Sequence, residues 1–93
     1  MKPRLGREVY CIYEDTINVE EVYAIGKDSF IVASFSDSTY EDSWEYFFDQ
    51  YQEVWFTSLA RAKKKLLQNA RGEGCTNPRI LKVSKDYYVL ECD

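Results

Sequence analysis

The residues best suited to chemistry crowd into the stretch from Asp37 to Phe56, DSTYEDSWEYFFDQYQEVWF. Six carboxylates stand there: Asp37, Glu41, Asp42, Glu45, Asp49 and Glu53. Eight aromatic rings stand among them, with no Lys, Arg or His. Three chemistries use such groups. Paired carboxylates, Glu41 with Glu45 or Asp42 with Asp49, are the types that serve as general acid and base. Clustered carboxylate oxygens hold calcium. A row of acids between rings makes an anionic protein-binding surface, since aromatics are enriched in interface cores.

The first two readings lack their companions. The chain has no histidine, the commonest general base and the usual activator of a nucleophile. It carries no G-x-S-x-G, Walker A or dinucleotide fingerprint. The D-x-D-x-D-G order of a calcium loop is absent. We therefore expect no catalytic residue, no metal site, no cofactor and no enzyme. What remains is a partner-binding surface of Asp37, Glu41, Asp42, Glu45, Asp49 and Glu53, with Tyr40, Trp44 and Tyr51 as anchors. An ordinary strand with rings inward and acids outward explains part of the same pattern. Eight rings exceed what so small a core absorbs, which favours the surface.

With 93 residues, 45% hydrophobic and 16% aromatic, the chain is expected to fold as a single domain over residues 1–93. Its net charge of −4 is unevenly spread. Residues 1–7 carry +3, residues 8–60 carry −11, and residues 61–93 carry +4. That asymmetry speaks to electrostatic partners. The overall sign disfavours direct DNA binding, which draws on phosphate contacts. No apolar run reaches membrane-spanning length, and the basic N-terminus lacks the apolar region of a secretory signal. Cys11, Cys75 and Cys92 form an odd set without a CxxC. We expect three reduced thiols in a cytoplasmic protein.

The elements that would position the acids follow from periodicity. Glu8–Tyr13 alternates as a strand, Glu14-Asp15 turns, and Ile17–Ile25 makes a second strand. Gly26-Lys27-Asp28-Ser29 is a hairpin tip before the strand Phe30–Phe35, and SDSTYEDS is expected as a loop. The next stretch supports two readings. Tyr40, Trp44, Phe48, Tyr51 and Trp55 are spaced as a helical stripe, and Ser38 with Glu41 makes a capping box. Trp44, Tyr46 and Phe48 equally alternate as a strand, which aromatics favour. We adopt a strand over Ser43–Phe48, a loop at 49–53 and a short strand Val54–Phe56.

Thr57 or Ser58 can cap a helix to about Ala70, stopped by Gly72. Leu59, Ala62, Leu66 and Ala70 form its apolar stripe. Its consecutive lysines 63–65 spread over about 200° of the helix and cannot share one direction. A hairpin of Ile80–Val83 and Tyr87–Glu91 closes the chain. The order predicts an α+β fold: a small twisted antiparallel sheet or SH3-like barrel with one helix and a final hairpin.

The run EYFFDQYQEVWFTSLARAKKKLL resembles the junction in many small uncharacterised proteins of phages and mobile elements of Gram-positive bacteria. Their pattern is an aromatic strand, a short acidic loop, an aromatic pair, Thr or Ser, then a Lys-rich helix. VYCIYEDTINVEEVYAIGKDSFIV is similar to the paired strands that precede that junction. The resemblance spans roughly residues 8–70. It implies an SH3-like barrel with a helix and supplies no catalytic residues. The −11 stretch exceeds what that pattern requires.

Together these features lead us to expect a non-enzymatic accessory protein that binds a host protein. An inhibitor of a host defence nuclease fits, an anti-CRISPR-like acidic mimic of nucleic acid. The alternative is an RNA- or nucleotide-binding module using the basic helix and the last hairpin, through Arg79, Lys82 and Lys85. An exposed edge strand would also allow a homodimer.

Overall fold

Alternation of apolar and polar residues builds most of this molecule. The computed structural model describes residues 2–36 and 39–93, with 34–36 and 39–42 as backbone alone. The chain runs β1 (Glu8–Tyr13), β2 (Thr16–Ile25), β3 (Ser29–Ser36), β4 (Thr39–Phe47), a 3-10 turn (Phe48–Gln50), β5 (Trp55–Phe56), α1 (Leu59–Gly72), β6 (Arg79–Ser84) and β7 (Tyr87–Glu91). The fold is the expected α+β: a curled antiparallel sheet, half of a barrel, with one helix and a final hairpin.

β2 organises the curl. It pairs with β1 along one edge, from Glu21 opposite Glu8 to Thr16 opposite Tyr13. Its other edge is divided: Thr16–Asn18 pair with β7, while the stretch from Glu21 to Ile25 pairs with β3. A bulge between Val22 and Ala24 lies in the β3 half. One strand with different neighbours at its two ends must bend, and bulges increase twist. The sheet therefore wraps in the order β4-β3-β2-β1-β5, with the β6–β7 hairpin attached to β2.

Each face of this sheet has its own core. Inside the curl lie Val9, Cys11, Val22, Phe30, Val32 and Trp55. On the opposite face, Ile17, Phe56 and Tyr88 meet Ala62 and Leu66 of α1. The two-residue strand β5 joins them, because neighbouring strand residues point to opposite faces. Trp55 enters the first core and Phe56 the second. The helical stripe behaves as its spacing requires, with Ala62, Leu66 and Ala70 buried. Ser58 is the cap, its hydroxyl accepting from the Arg61 N–H at 3.4 Å.

Three expectations need correction. The segment SDSTYEDS is largely not a loop: β4 begins at Thr39, opposite Ser36, leaving only residues 37 and 38 outside the described backbone. Its acids lower local strand propensity, yet the ladder to β3 outweighs that. The same ladder carries the strand adopted for this stretch, which ends at Phe47, and excludes the helical alternative over residues 39–47. The helix passes through Gly72, and Gly74, with φ of 89°, follows its end, where the Cys75 N–H reaches Ala70 O at 2.9 Å. Finally, the thiols are not all reduced. Cys75 and Cys92 form a disulfide with Cα atoms 5.6 Å apart, inside the usual span for that bond. The β6–β7 hairpin folds the chain end back beside the helix terminus, a proximity no spacing rule contains. With this bond present, the cysteines no longer point to the cytoplasm. Among the described residues, no helix is long and apolar enough to cross a membrane.

Candidate functional site

β4 ends the sheet. Among the described residues it pairs only with β3, so one edge of this nine-residue strand carries no partner strand. The expected surface residues distribute themselves around it. Asp37 lies outside the described residues, and so do the side chains of Tyr40, Glu41 and Asp42. Trp44 stands opposite Val32, on the concave face. Glu45 stands opposite Ile31 on the other face, its Oε2 accepting from the Ser29 hydroxyl at 2.6 Å. Phe47, opposite Ser29, shares that outer face and is exposed, as is Ile31. Asp49 is exposed in the turn after β4. Glu53 is exposed but tied to Lys65 of α1 at 3.0 Å.

Tyr51 joins the core rather than the edge. Its ring packs on Trp55 at 4.8 Å, and its hydroxyl lies 3.2 Å from Thr57 Oγ1. The nine expected residues thus do not share one surface. Strand alternation separates Trp44 from Glu45, and the turn carries Asp49, Tyr51 and Glu53 away.

Glu8, Glu20 and Glu21 were missed. Glu20 and Glu21 are adjacent on a strand, where neighbouring side chains point to opposite faces, so one must point inward. Glu20 does, and it is buried. The signal was present: Asn18 and Glu20 occupy the same alternate positions as the buried Val22. Glu21 faces Glu8 directly across β1 and β2. Like charges opposite one another in a sheet destabilise it, so that pair adds negative field at a cost to the fold.

Inside the curl, burial sets the chemistry of Cys11. Desolvation pushes its thiol from the ordinary 9.0 up to about 12, a hydrogen bond with Tyr46 partly opposes this, and the Glu20 charge adds to it. Tyr46 is pushed up as well, first by burial, then by Cys11 and Glu20. Both groups stay neutral through the physiological range and are poor nucleophiles. Because the folded protein holds these protons more tightly, their contribution to stability is complete below pH 9. It declines as the pH rises from there toward 12, where the unfolded chain alone has lost its protons. We therefore expect N-ethylmaleimide to leave Cys11 unmodified at pH 8 in the native protein and to modify it in denaturant. The urea midpoint should fall between pH 9 and 11, and less steeply in Cys11→Ala. Rapid native labelling, read by mass spectrometry, would contradict the buried placement.

The basic residues are partly engaged internally. Lys63 sits over the Tyr88 ring at 5.1 Å. Arg79 reaches Glu91 at 2.5 Å and Asp93 at 2.8 Å. Asn77 donates to Asp93 at 2.9 Å, and this bond, then Arg79, holds the Asp93 carboxyl below the usual carboxylate range. Arg61, Lys64 and Lys65 border a shallow depression with Gln52, Phe56 and Gln68. Among the described residues no group of His, Cys, Asp and Glu is arranged to hold a metal ion. Compared with known proteins, the chain matches no family model, no curated protein and no solved structure.

Proposed function

We propose that this protein is a non-enzymatic binding protein that presents the β4 edge, with its acids and aromatic residues, to a basic surface on a protein partner. The observation that carries this reading is that β4 terminates the sheet, paired only with β3 among the described residues. An unpaired strand edge is a ready template for association. Exposed apolar groups lie on both sides of this one: Ile31 and Phe47 on the outer face, Trp44 on the concave face. The acidic excess of residues 8–60 supplies the steering field. The partner class we favour is a nucleic-acid-binding defence effector of a bacterial host, met by a phage or mobile-element protein that occupies its phosphate-binding groove. The support for that class is the resemblance of the 45–67 junction together with the charge.

The test is competition with target DNA for a CRISPR effector nuclease. The parent protein is expected to displace DNA, and more weakly as salt rises. Glu41→Gln, Asp42→Asn and Glu45→Gln together should weaken binding by about tenfold or more and flatten the salt dependence. A triple variant that competes as well as the parent would refute the acidic edge.

The second reading is an RNA-binding module, favoured by the depression beside Arg61 and Lys64. It ranks lower because Lys65 and Arg79 already serve internal carboxylates. It requires salt-sensitive binding of single-stranded RNA that Lys64→Glu with Lys65→Glu removes.

A further inference from the structure

We propose that the cleft between β1 and β4 binds an organic cation, the alkylated ammonium or guanidinium head of a small molecule or of a Lys or Arg side chain. The cleft has a volume of about 290 Å³. Its mouth is framed by Tyr13 and Trp44, whose ring centroids lie 6.2 Å apart and whose planes are inclined by 31°. Tyr46 continues the aromatic wall inward, and Asn18, Glu20 and Val54 also line it.

Strand geometry explains why these groups meet. Cys11 is opposite Asn18, and Tyr13 occupies the next alternate position of β1. Val32 is opposite Trp44, and Phe30 is opposite Tyr46. All therefore belong to the concave face of the curl, where Glu20 also points. The rings at the mouth are half in water, 59% exposed for Tyr13 and 51% for Trp44, while Glu20 is 9% exposed.

The chemistry of the lining selects the occupant. Aromatic faces carry negative charge density and attract cations within about 6 Å of the ring centre. Glu20 adds a carboxylate at depth, and no Lys or Arg is among the lining residues. An anion meets repulsion there. A hard divalent cation would want a shell of six or more oxygens, whereas these walls are mostly rings. A soft, weakly hydrated cation satisfies both the rings and the carboxylate.

This site shares Trp44 with the proposed edge surface, and Glu45 borders it as well, but the two are tested apart, because choline binding is read with no protein partner present. Glu45, in the proposed edge surface, turns its carboxylate to Ser29 on the other face of the strand. Failure of the cation site would leave the nuclease competition result standing, and the reverse holds too.

The experiment is an NMR titration of the ¹⁵N-labelled protein with choline and with its neutral isostere 3,3-dimethylbutanol. The two indole N–H signals act as probe and control: Trp44 at the mouth, and Trp55 bonded to the Phe47 carbonyl at 2.9 Å. Choline is expected to shift the Trp44 signal saturably and leave Trp55 nearly still, with no saturable effect of the alcohol. Trp44→Ala and Tyr13→Ala, both at exposed positions and compatible with folding, should each weaken choline binding by about fivefold or more, read from the remaining cleft signals. Glu20→Gln provides the charge arm. Capped trimethyl-lysine and capped arginine, titrated in parallel, separate a polypeptide source from a free one: tighter binding than choline indicates a side chain, weaker binding a small molecule. Equal shifts from choline and the alcohol, no shift at Trp44, or unchanged binding in Trp44→Ala would overturn the assignment.

Discussion

Replacing Trp55 by alanine should cost about 3–5 kcal/mol of folding stability. The residue is fully buried, meets Phe30 edge to face at 4.8 Å and supports Tyr51 at 4.8 Å. Its indole N–H also donates to the Phe47 carbonyl at 2.9 Å, which fastens the end of β4 to the short strand β5. Three contributions are lost at once: apolar burial, ring–ring contact and a hydrogen bond that leaves a partly buried carbonyl behind. For a domain of this size total stability is about 5–15 kcal/mol, so the variant should lie near the edge of folding. Trp55→Phe isolates the hydrogen bond from the ring and should lose about 1–3 kcal/mol. Urea denaturation followed by far-ultraviolet circular dichroism measures both. A loss below about 1 kcal/mol for Trp55→Ala would contradict its place at the centre of the curl.

Opening the Cys75–Cys92 disulfide should cost about 3 kcal/mol, the chain-entropy value for a loop of this length. The two cysteines are 17 residues apart, and the bond joins the segment after α1 to the end of β7. Nearby polar contacts are a weak substitute. The Arg79 pairs with Glu91 and Asp93 are exposed, and exposed pairs contribute little. Cys75→Ser with Cys92→Ser should therefore lower the denaturation midpoint and raise amide exchange in β6 and β7 more than in β1. The measurement that precedes it is a peptide map without reductant. It should recover residues 75 and 92 linked and Cys11 as the free thiol. Recovery of both as unlinked thiols from oxidised protein would remove the basis for the stability prediction.

Much of the framework could be read locally. The bounds of β1 and β7 match the expected runs, and β2 starts one residue early. These strands alternate between two well-marked faces, and Ser58 with the stripe at Ala62, Leu66 and Ala70 carries the helix. β4 was harder. Its rings fit both periods, and its acids suggested a loop over residues that in fact pair with β3. Only the neighbouring strand resolves such a segment, because propensity is a weak term beside ladder hydrogen bonds and a buried face. The candidate surface was legible in composition but not in arrangement. Trp44 and Glu45 are neighbours in the chain and opposites in the sheet.

By itself the sequence determined the types and order of the elements outside β4, the separation of acidic from basic residues, and the lack of any histidine. Those follow from periods of a few residues and from counting charges, and they do not depend on distant contacts. The tertiary structure alone decided that β4 is an edge, that Cys75 meets Cys92, and that Glu20 turns into an aromatic cleft. Each of these depends on residues far apart in the chain. The divided edge of β2 curls the sheet, and that curl brings Tyr13 to Trp44. The β6–β7 hairpin returns the chain end to the helix terminus. No local pattern encodes which strands become neighbours, because that choice is made by packing the whole set of apolar faces at once.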